Sequence, residues 1–252
     1  MAVITSDGEY SYGLHQLQKV KVWNHAAKPG EVYVYIHGGA WRDPNNTFNE
    51  IEPVARMNRN RTFIGINYRL SPEVKHPSHV KDIYEALKFI HQEFDGPQMH
   101  GFGYSVGATM ILQLVQFSSV LNNEPEVGLY FKSIKLLDGI YDVKSLLQEY
   151  PSYASFVVEA YSSLESAKDS ISLQISKGTK EQLFRDRIID SNTKIYVCQS
   201  LEDDLLSMNQ TVLLMDFFKS LDTEVELVTG NWGKHDDIYG SHRNQVLMHG
   251  LE

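Results

Sequence analysis

Short apolar runs alternate with longer segments of helical periodicity along this chain of 252 residues. The runs are rich in β-branched and aromatic residues, and turn-forming or acidic residues follow each one. This pattern is typical of strands that are mostly buried on both faces. The predicted strands are VYVYI (32–36), FIGINY (63–68), SIKLL (133–137), KIYVC (194–198) and EVELV (224–228).

Two segments between these strands carry helix signals. One apolar helix face in HVKDIYEALKFIHQEF is formed by residues spaced three or four apart, namely Val80, Ile83, Leu87, Ile90 and Phe94. In SMNQTVLLMDFFKSL, Ser207 and Gln210 stand in the relation of a capping box, so a helix is predicted to begin there. The alternation of strand and helix predicts an α/β fold with a largely parallel sheet and right-handed crossovers.

One region interrupts the alternation. From about residue 141 to residue 191 the chain is a mixed polar and amphipathic stretch between two predicted strands. We interpret it as an inserted helical cap, which is where folds of this kind often place substrate specificity. The chain has no internal repeat and no low-complexity tract, so residues 1–252 are predicted to form a single domain that carries this insertion.

Composition and charge exclude several classes of function. A hydrophobic fraction of 42% and a charged fraction of 22% are ordinary for a globular protein. The formal net charge of −9 is not offset by a basic block, so nucleic acid and anionic membranes are not expected as partners. The single cysteine, Cys198, cannot form an intramolecular disulfide, and its place in the run IYVC predicts a buried thiol.

The amino-terminal stretch MAVITSDGEYSYG lacks the basic and apolar regions of a secretory signal. No apolar run approaches the roughly 18 residues that a membrane-spanning helix needs. The sequence therefore predicts a soluble protein of the cytoplasm.

The stretch GFGYSVGATM, residues 101–110, places Ser105 between Gly103 and Gly107, directly before an apolar helical pattern. In a parallel α/β sheet the loops at the carboxyl ends of the strands line the binding crevice. A tight strand-to-helix turn requires glycine beside the serine, and the helix N-terminus supplies free N–H groups, led by that of Val106. The GxSxG pattern thus predicts a nucleophile beside an oxyanion site, although a glycine-rich helix start has the same pattern.

The second motif, YIHGGAW at residues 35–41, directly follows an apolar strand. Consecutive glycines at a strand end allow backbone amides to turn inward, and an HGGG-type loop forms half of the oxyanion hole in esterases. Ala40 replaces the third glycine here. The predicted oxyanion donors are therefore the amides of Gly39 and Ala40, together with that of Val106.

Three side chains of this loop need separate interpretation. His37 is predicted to orient the loop through hydrogen bonds and not to transfer protons. Trp41 has two open roles, either a core residue or a wall of the substrate pocket. Arg42 is close to the oxyanion loop in sequence, but a solvent-facing arginine is the favoured interpretation.

An acid and a histidine follow in the order that a serine triad of this architecture requires. The loop QSLEDDLLS after the fourth predicted strand offers Glu202, Asp203 and Asp204. The loop TGNWGKHDDIYG after the last strand offers His235, and no other histidine of the ten follows that strand so closely. Asp203 is the favoured acid and Asp204 the next, with Asp138 in LLDGIYD a third candidate because it too follows a strand.

These motifs resemble a known family. YIHGGAW and GYSVG, with NYRLSPE (67–73) between them, are similar to the α/β-hydrolases that include hormone-sensitive-lipase-like esterases and kynurenine formamidases. HGGxW in place of HGGG is the formamidase form. The segments KLLDGIYDVKSLLQEYPSY, SLEDDLLSMNQT and HDDIYG resemble the fungal kynurenine formamidases, so the likeness extends from about Val32 to Val246.

The resemblance implies an α/β-hydrolase fold and a triad of Ser105, Asp203 and His235. It also implies hydrolysis of N-formyl-L-kynurenine to formate and L-kynurenine, a step of tryptophan breakdown that feeds NAD synthesis, without a metal or organic cofactor. A homodimer is the assembly that the resemblance implies. The remaining motif and pocket residues are predicted to be His37, Gly38, Trp41 and Tyr104.

Two other functions are compatible with parts of this pattern. A general short-chain carboxylesterase of the hormone-sensitive-lipase-like group would use the same triad and differ in its pocket. A catalytically inactive hydrolase fold that serves only for binding usually lacks a triad residue, and none is missing here. Turnover of short aryl esters against N-formylkynurenine separates the first alternative from a formamidase.

Overall fold

The computed structural model describes residues 3–116, 131–173 and 192–251, and its centre is an eight-stranded sheet. The spatial order of the strands is β1-β2-β4-β3-β5-β6-β7-β8. Strands β3 to β8 pair in parallel, whereas β1 and β2 add an antiparallel edge. The strands are β1 (Gly8–Ser11), β2 (Lys19–Trp23), β3 (Glu31–Ile36), β4 (Thr62–Asn67), β5 (Gln98–Tyr104), β6 (Phe131–Leu137), β7 (Lys194–Ser200) and β8 (Glu226–Gly230). This confirms the predicted, mostly parallel α/β sheet.

The strand predictions differ from the structure at both edges of the sheet and at β5, which was expected only as the strand before the Ser105 turn and was not among the predicted apolar runs. Burial on both faces is a wrong prediction for β8, where Leu227 keeps 45% of its surface exposed, because this edge strand has a neighbour on one side only. The strands β1 and β2 were not predicted, since GEYS and KVKVW are short and carry polar residues at alternate positions. Alternation of this kind is typical of an antiparallel edge that is partly solvated.

Helices cover both faces of the sheet. The helices in the described residues are α1 (Glu52–Met57), α2 (Ser78–Glu93), α3 (Val106–Gln116), α4 (Val143–Glu149), α5 (Ala154–Tyr161), α6 (Leu164–Ser170), α7 (Met208–Ser220) and α8 (Arg243–Met248). The predicted apolar face of α2 is confirmed, because all five of its residues are buried. The two α-helical segments predicted from sequence thus occur as α2 and α7.

The start of α7 corrects one detail of the prediction. Ser207 caps the helix, and its hydroxyl accepts a hydrogen bond from the Asn209 amide at 3.2 Å. The reciprocal half of a capping box is absent from this N-terminus because Gln210 is buried and its side chain turns into the protein. Its Oε1 accepts the amides of Tyr141 at 2.8 Å and Asp142 at 2.9 Å, which ties α7 to the chain after β6.

Two hydrophobic layers hold the sheet between them. Alternate residues of β3 belong to different layers, with Val32 and Val34 on the side of α2 and α3, and Tyr33 and Tyr35 on the side of α1 and α8. Cys198 of β7 lies in the second layer, fully buried, and burial raises the pKa of its thiol to about 12. Both faces of the sheet are covered, so polar side chains reach open space at the strand ends.

The region predicted as a cap lies between β6 and β7; we refer to it as the cap, and its role as a cap stays a prediction. Its part within the described residues, 141–173, contains α4, α5, α6 and a 3₁₀ turn at Pro151–Tyr153. Residues 174–191 of the predicted insertion lie outside the described residues. Within the ranges that the structure describes, no helix is both long enough and apolar enough to span a bilayer.

Candidate active site

Ser105 alone links the end of β5 to the start of α3. Its φ of 53° lies in the left-handed region, which is uncommon for residues other than glycine. The Ser105 amide donates a hydrogen bond to the carbonyl oxygen of Leu137 at the end of β6, at 2.8 Å. The turn therefore presents the serine side chain at the carboxyl edge of the sheet.

The glycines beside the serine allow two backbones to approach closely. A Cβ atom at Gly107 would lie 2.2 Å from the carbonyl oxygen of Ile36, at the end of β3. A Cβ at Gly103 would lie 2.6 Å from the carbonyl oxygen of Gly107. Both positions need glycine because α3 starts against the neighbouring strand, which brings Ser105 next to the loop that follows β3.

Replacing Gly107 by alanine is expected to lower the free energy of unfolding by about 3 kcal/mol or more, because backbone atoms must move to admit the methyl group. Urea unfolding followed by circular dichroism measures the change. Gly30→Ala is the matched control, since a Cβ at Gly30 would meet no atom within 4 Å. Equal unfolding midpoints for the two variants would contradict the close approach.

The loop after β3 turns sharply beneath the same cavity. Gly39, Ala40 and Trp41 have φ values of 91°, 48° and 61°, so three successive residues are left-handed. The carbonyl oxygen of Gly39 closes the turn by accepting the amides of Arg42 at 2.9 Å and Asp43 at 2.8 Å. Gly39, Ala40 and Val106, the predicted oxyanion donors, all line the cavity that contains Ser105.

His37 and Tyr68 support this loop from below. The His37 ring stacks on Tyr68 at 4.4 Å, and its Nδ1 donates to the carbonyl oxygen of Gly38 at 3.0 Å. The Tyr68 hydroxyl lies 3.1 Å from the carbonyl oxygen of His37 and 3.0 Å from that of Gly38, and donates to them. Burial lowers the pKa of His37 to about 4, so the ring is neutral. The predicted orienting role fits these contacts, whereas no role was predicted for Tyr68, although it lies in the motif NYRLSPE.

Gly38 and Trp41 are placed behind the cavity. A Cβ at Gly38 would lie 2.9 Å from the Cβ of Ser105, so the glycine lets the loop pass under the nucleophilic turn. Trp41 is fully buried, and its ring packs edge-on against Tyr161 at 5.2 Å. Of the two roles open to Trp41, the structure favours the core, because the indole does not line the cavity.

Arg42 is more than a solvent-facing side chain. It lines the cavity, and its Nη1 lies 2.8 Å from Oε2 of Glu159 on α5. The guanidinium also lies 5.9 Å from the ring centroid of Phe156. These contacts connect the oxyanion loop to the cap, so the loop and α5 form one wall of the cavity.

Ser105, His235 and Asp203 form one hydrogen-bonded chain. His235 Nε2 lies 3.0 Å from Ser105 Oγ, and His235 Nδ1 lies 2.7 Å from Asp203 Oδ2. The three side chains come from loops after β5, β7 and β8, which meet at one edge because these strands are parallel. A neutral imidazole in this arrangement donates from Nδ1 to the carboxylate and accepts the serine proton at Nε2.

The geometry distinguishes the two neighbouring aspartates. The Asp203 side chain is 1% exposed, and its Oδ1 accepts the amides of Leu205 and Leu206, each at 2.8 Å. The Asp204 side chain is 46% exposed and pairs with Lys234 at 3.2 Å, turned away from the imidazole nitrogens. The structure thus brings Asp203, and not Asp204, into hydrogen-bonding contact with the His235 imidazole.

The electrostatics of His235 favour its charged form. Burial lowers the pKa of the imidazole, but the hydrogen bond and the charge of Asp203 outweigh burial, so the net pKa lies above the ordinary value. Asp138 and Asp236 act in the same direction. Tyr104 fixes the backbone of this histidine, because its hydroxyl donates to the carbonyl oxygen of His235 at 2.5 Å. Tyr104 also lines the cavity, as predicted for a pocket residue.

The cavity beside Ser105 has a volume of about 440 Å³, which lies within the range of about 300–1,000 Å³ common for small-molecule sites. A larger groove of about 1100 Å³ lies between α7 and β8, but none of the predicted site residues lines it. The cap contributes the rings of Tyr153 and Phe156, whose centroids are 5.3 Å apart. Sequence reasoning missed both rings, although the aromatic-rich segment EYPSYASF was a usable signal.

The cap is also joined to the loop that carries the acid. The Tyr153 hydroxyl donates to the carbonyl oxygen of Leu205 at 2.9 Å. Leu205 is the residue whose amide binds the Asp203 carboxylate. The loop that carries Asp203 therefore also anchors Tyr153, which is part of the cavity wall.

Comparison with known proteins gives this arrangement a family context. The model of the BD-FAE family matches residues 20–182. A kynurenine formamidase from Scheffersomyces stipitis is 34% identical over 256 residues, which covers 91% of this chain and 93% of that protein. A kynurenine formamidase from Meyerozyma guilliermondii is 36% identical over 239 residues, which covers 94% of this chain and 90% of that protein.

Solved structures of esterases share the fold. An inhibited esterase B from Lactobacillus rhamnosis superposes with a TM-score of 0.70, covering 97% of this chain and 84% of that one. Its sequence identity is 16%, so the likeness concerns the α/β-hydrolase architecture alone.

Proposed function

The chain belongs to the BD-FAE family of α/β-hydrolases and to the fungal kynurenine formamidases, and we propose that it hydrolyses N-formyl-L-kynurenine to formate and L-kynurenine through Ser105, Asp203 and His235. The hydrogen-bonded chain of these three side chains, at a cavity that the oxyanion loop also lines, is the observation that carries the proposal.

In the first step, Ser105 Oγ attacks the carbon of the formyl group. His235 Nε2 takes the hydroxyl proton, and Asp203 holds the imidazole in the correct tautomer and stabilises the imidazolium that forms. The carbonyl oxygen becomes an oxyanion as the new C–O bond forms. The amides of Gly39, Ala40 and Val106 are its proposed donors, and one such donor typically contributes about 3–4 kcal/mol to transition-state stabilisation.

In the second step, the bond between the formyl carbon and the anilide nitrogen breaks. His235 gives its proton to that nitrogen, so L-kynurenine leaves as a neutral aromatic amine and the formyl group remains on Ser105. A water molecule then attacks the formyl ester while His235 accepts its proton, and formate leaves as the serine is reprotonated. An anilide is a better leaving group than an alkyl amide, which suits an esterase-like site.

The shape and lining of the cavity support an aromatic substrate. The rings of Tyr153 and Phe156 offer flat apolar surface in the same cavity that the oxyanion loop lines. Stacking on such rings is worth about 0.5–1.5 kcal/mol beyond the burial of area. A formyl group beside Ser105 then leaves the kynurenine ring against the cap, where a small alkyl ester would leave the aromatic wall unused.

The test is formate release from N-formyl-L-kynurenine, run beside cleavage of p-nitrophenyl acetate by the same purified protein. A formamidase should show a kcat/KM for the formamide that exceeds the ester value by about 100-fold or more. Ester cleavage alone would identify a short-chain carboxylesterase with the same triad. Turnover of neither compound would indicate a hydrolase fold without this chemistry.

The activity is expected to fall in acid as His235 becomes protonated, because only the neutral imidazole can accept the serine proton. The pKa of His235 is raised, so the protonated, inactive form persists to higher pH than for an ordinary histidine. The acid limb of kcat/KM should therefore have its midpoint above about 6.5. A profile recorded between pH 5 and 9 checks this, and a midpoint well below the ordinary histidine value would contradict the pairing with Asp203.

Assembly and location belong to the same proposal. We propose a homodimer because the family resemblance implies one, and we propose the cytoplasm as the location. Light scattering on the purified protein, whose chain has a mass of 28.8 kDa, distinguishes a dimer from a monomer. A tagged protein observed in cells tests the location.

A further inference from the structure

Asp138 is a buried carboxyl group that the proposed triad does not use. It follows β6 directly, is fully buried, and has a φ of 44° in the left-handed region. Its amide donates to the carbonyl oxygen of Cys198 at 2.9 Å, and its Oδ1 accepts the amide of Ser200 at 2.9 Å. These bonds join the end of β6 to the end of β7, just before the loop that carries Asp203.

The second oxygen of this carboxyl group, Oδ2, has no hydrogen-bond partner within the part of the chain that the structure describes. A buried acceptor without a donor costs free energy, so its presence needs an explanation. The hydroxyls of Tyr104 and Tyr239 lie within hydrogen-bonding reach of the Asp138 carboxyl group and influence its ionisation. In this structure their well-formed hydrogen bonds go to the carbonyl oxygens of His235, at 2.5 Å, and Cys198, at 3.4 Å, so a small rotation of either hydroxyl would be enough to pair Oδ2.

Both tyrosines belong to the scaffold that holds His235. The ring centroid of Tyr104 lies 5.4 Å from the imidazole and 5.6 Å from the ring of Tyr239. Tyr239 itself lies in the short segment that follows His235 and is buried. Asp138 thus lies beside the groups that surround the imidazole, in an interior where a charge acts over a longer distance than in water.

We propose that Asp138 is a positioning residue for this reaction, whose carboxylate makes His235 a stronger base and helps to stabilise its imidazolium. Asp138 does not touch the substrate, because it is buried and does not line the cavity. It acts through the imidazole and through the hydroxyls of Tyr104 and Tyr239. The inference rests on the proposed triad, and it does not depend on which acyl substrate the triad cleaves.

The ionisation of Asp138 supports this assignment. Burial and the charge of Asp203 raise the pKa of Asp138 to about 7, while His235 acts in the opposite direction. The titratable groups around Asp138 are Tyr104, Tyr141, Cys198, Asp203, His235 and Tyr239. The exposed Asp236 also acts on His235. The charge of an ionised Asp138 favours the imidazolium, and the imidazolium favours the ionised carboxylate, so the two protons are coupled.

The test is the pH profile of Asp138→Asn, in which the side-chain oxygen can still accept the Ser200 amide but the charge is gone. The midpoint of the acid limb of kcat/KM is expected to move to lower pH by at least about half a unit, with KM little changed. Asp216→Asn, on the exposed surface of α7, makes the same change in net charge and should leave the midpoint in place. An unshifted midpoint in folded Asp138→Asn would reduce Asp138 to a structural link between β6 and β7.

A second variant covers the case in which Asp138→Asn fails to fold. The Tyr239 hydroxyl favours the ionised form of Asp138, so Tyr239→Phe should shift the acid limb in the same direction and by less. Where both single variants fold, the two shifts should not add in the double variant, because they act through one carboxylate. Additive shifts, or none, would overturn the proposal.

The His235 proton equilibrium can also be measured without turnover. NMR titration of the imidazole in wild type and in Asp138→Asn should show a lower pKa in the variant. Profiles with p-nitrophenyl acetate add a readout that does not need the formamide. If the protein does not cleave the formamide, the proposed substrate is refuted. The role of Asp138 can then still be tested by the NMR titration and by the ester profiles.

Discussion

Replacement of Ser105 by alanine is expected to lower kcat for formate release by about 10⁴- to 10⁶-fold. The Ser105 hydroxyl lies 3.0 Å from His235 Nε2, and alanine lacks the only atom at this position that can attack the formyl carbon. The left-handed turn keeps its Cβ, so the free energy of unfolding should change little. Formate release under substrate saturation, with circular dichroism of both proteins, measures the two quantities.

The control for this variant is Ser166→Ala, which removes an exposed hydroxyl from α6 in the cap. Its turnover should stay within about threefold of wild type, because the serine lies outside the cavity lining. Activity of Ser105→Ala above about a tenth of the wild-type value would refute Ser105 as the nucleophile.

Asp203→Asn is expected to lower kcat by about 10⁴-fold. The asparagine amide can donate to His235 Nδ1 and so favour the tautomer whose Nε2 carries hydrogen, which cannot accept the serine proton. The variant also loses the charge that stabilises the imidazolium at a distance of 2.7 Å. Single-turnover kinetics with N-formyl-L-kynurenine would locate the loss in the acylation step.

Asp204→Asn is the matched control for Asp203→Asn. Asp204 is half exposed and pairs with Lys234, so water and salt screen its charge, and its Oδ1 accepts the backbone amide of His235 at 3.4 Å, a contact that an asparagine oxygen can keep. Its replacement should change kcat/KM by less than about threefold. A larger loss in Asp204→Asn than in Asp203→Asn would reverse the assignment of the acid.

The fold was predictable because most of its central strands and its two longest helices have strong patterns, whereas the glycine-containing β5 was expected only from the turn at Ser105. The apolar runs at residues 32–36 and 63–68 lie inside the sheet, where burial on both faces leaves no polar position to obscure the strand. The short edge strands β1 and β2 depend on pairing with β4, which is a non-local contact that a local pattern does not encode. Gln210 illustrates the same limit, since a buried backbone partner 69 residues away displaces its local capping role.

The site was predictable as far as chain order and loop position determine it. Ser105 and His235 follow from the motif and from the parallel sheet, which gathers strand ends at one edge. Asp203 and Asp204 are adjacent, and the direction of each side chain depends on how the amides of Leu205 and Leu206 turn toward the carboxylate. The aromatic wall was not predictable in this way, because the cap has no fixed register relative to the sheet.

The bond between Tyr153 and Leu205 has a consequence for how this enzyme could be re-engineered or could diverge. A substitution that reshapes the aromatic wall for another acyl or aryl group also pulls on the loop whose amides hold Asp203. Variants selected for new substrates at Tyr153 should therefore lose turnover on every substrate at once, and recovery should need a compensating change near Leu205. Phe156 gives the freer route to altered selectivity, because its ring lines the same wall without a hydrogen bond to the acid loop.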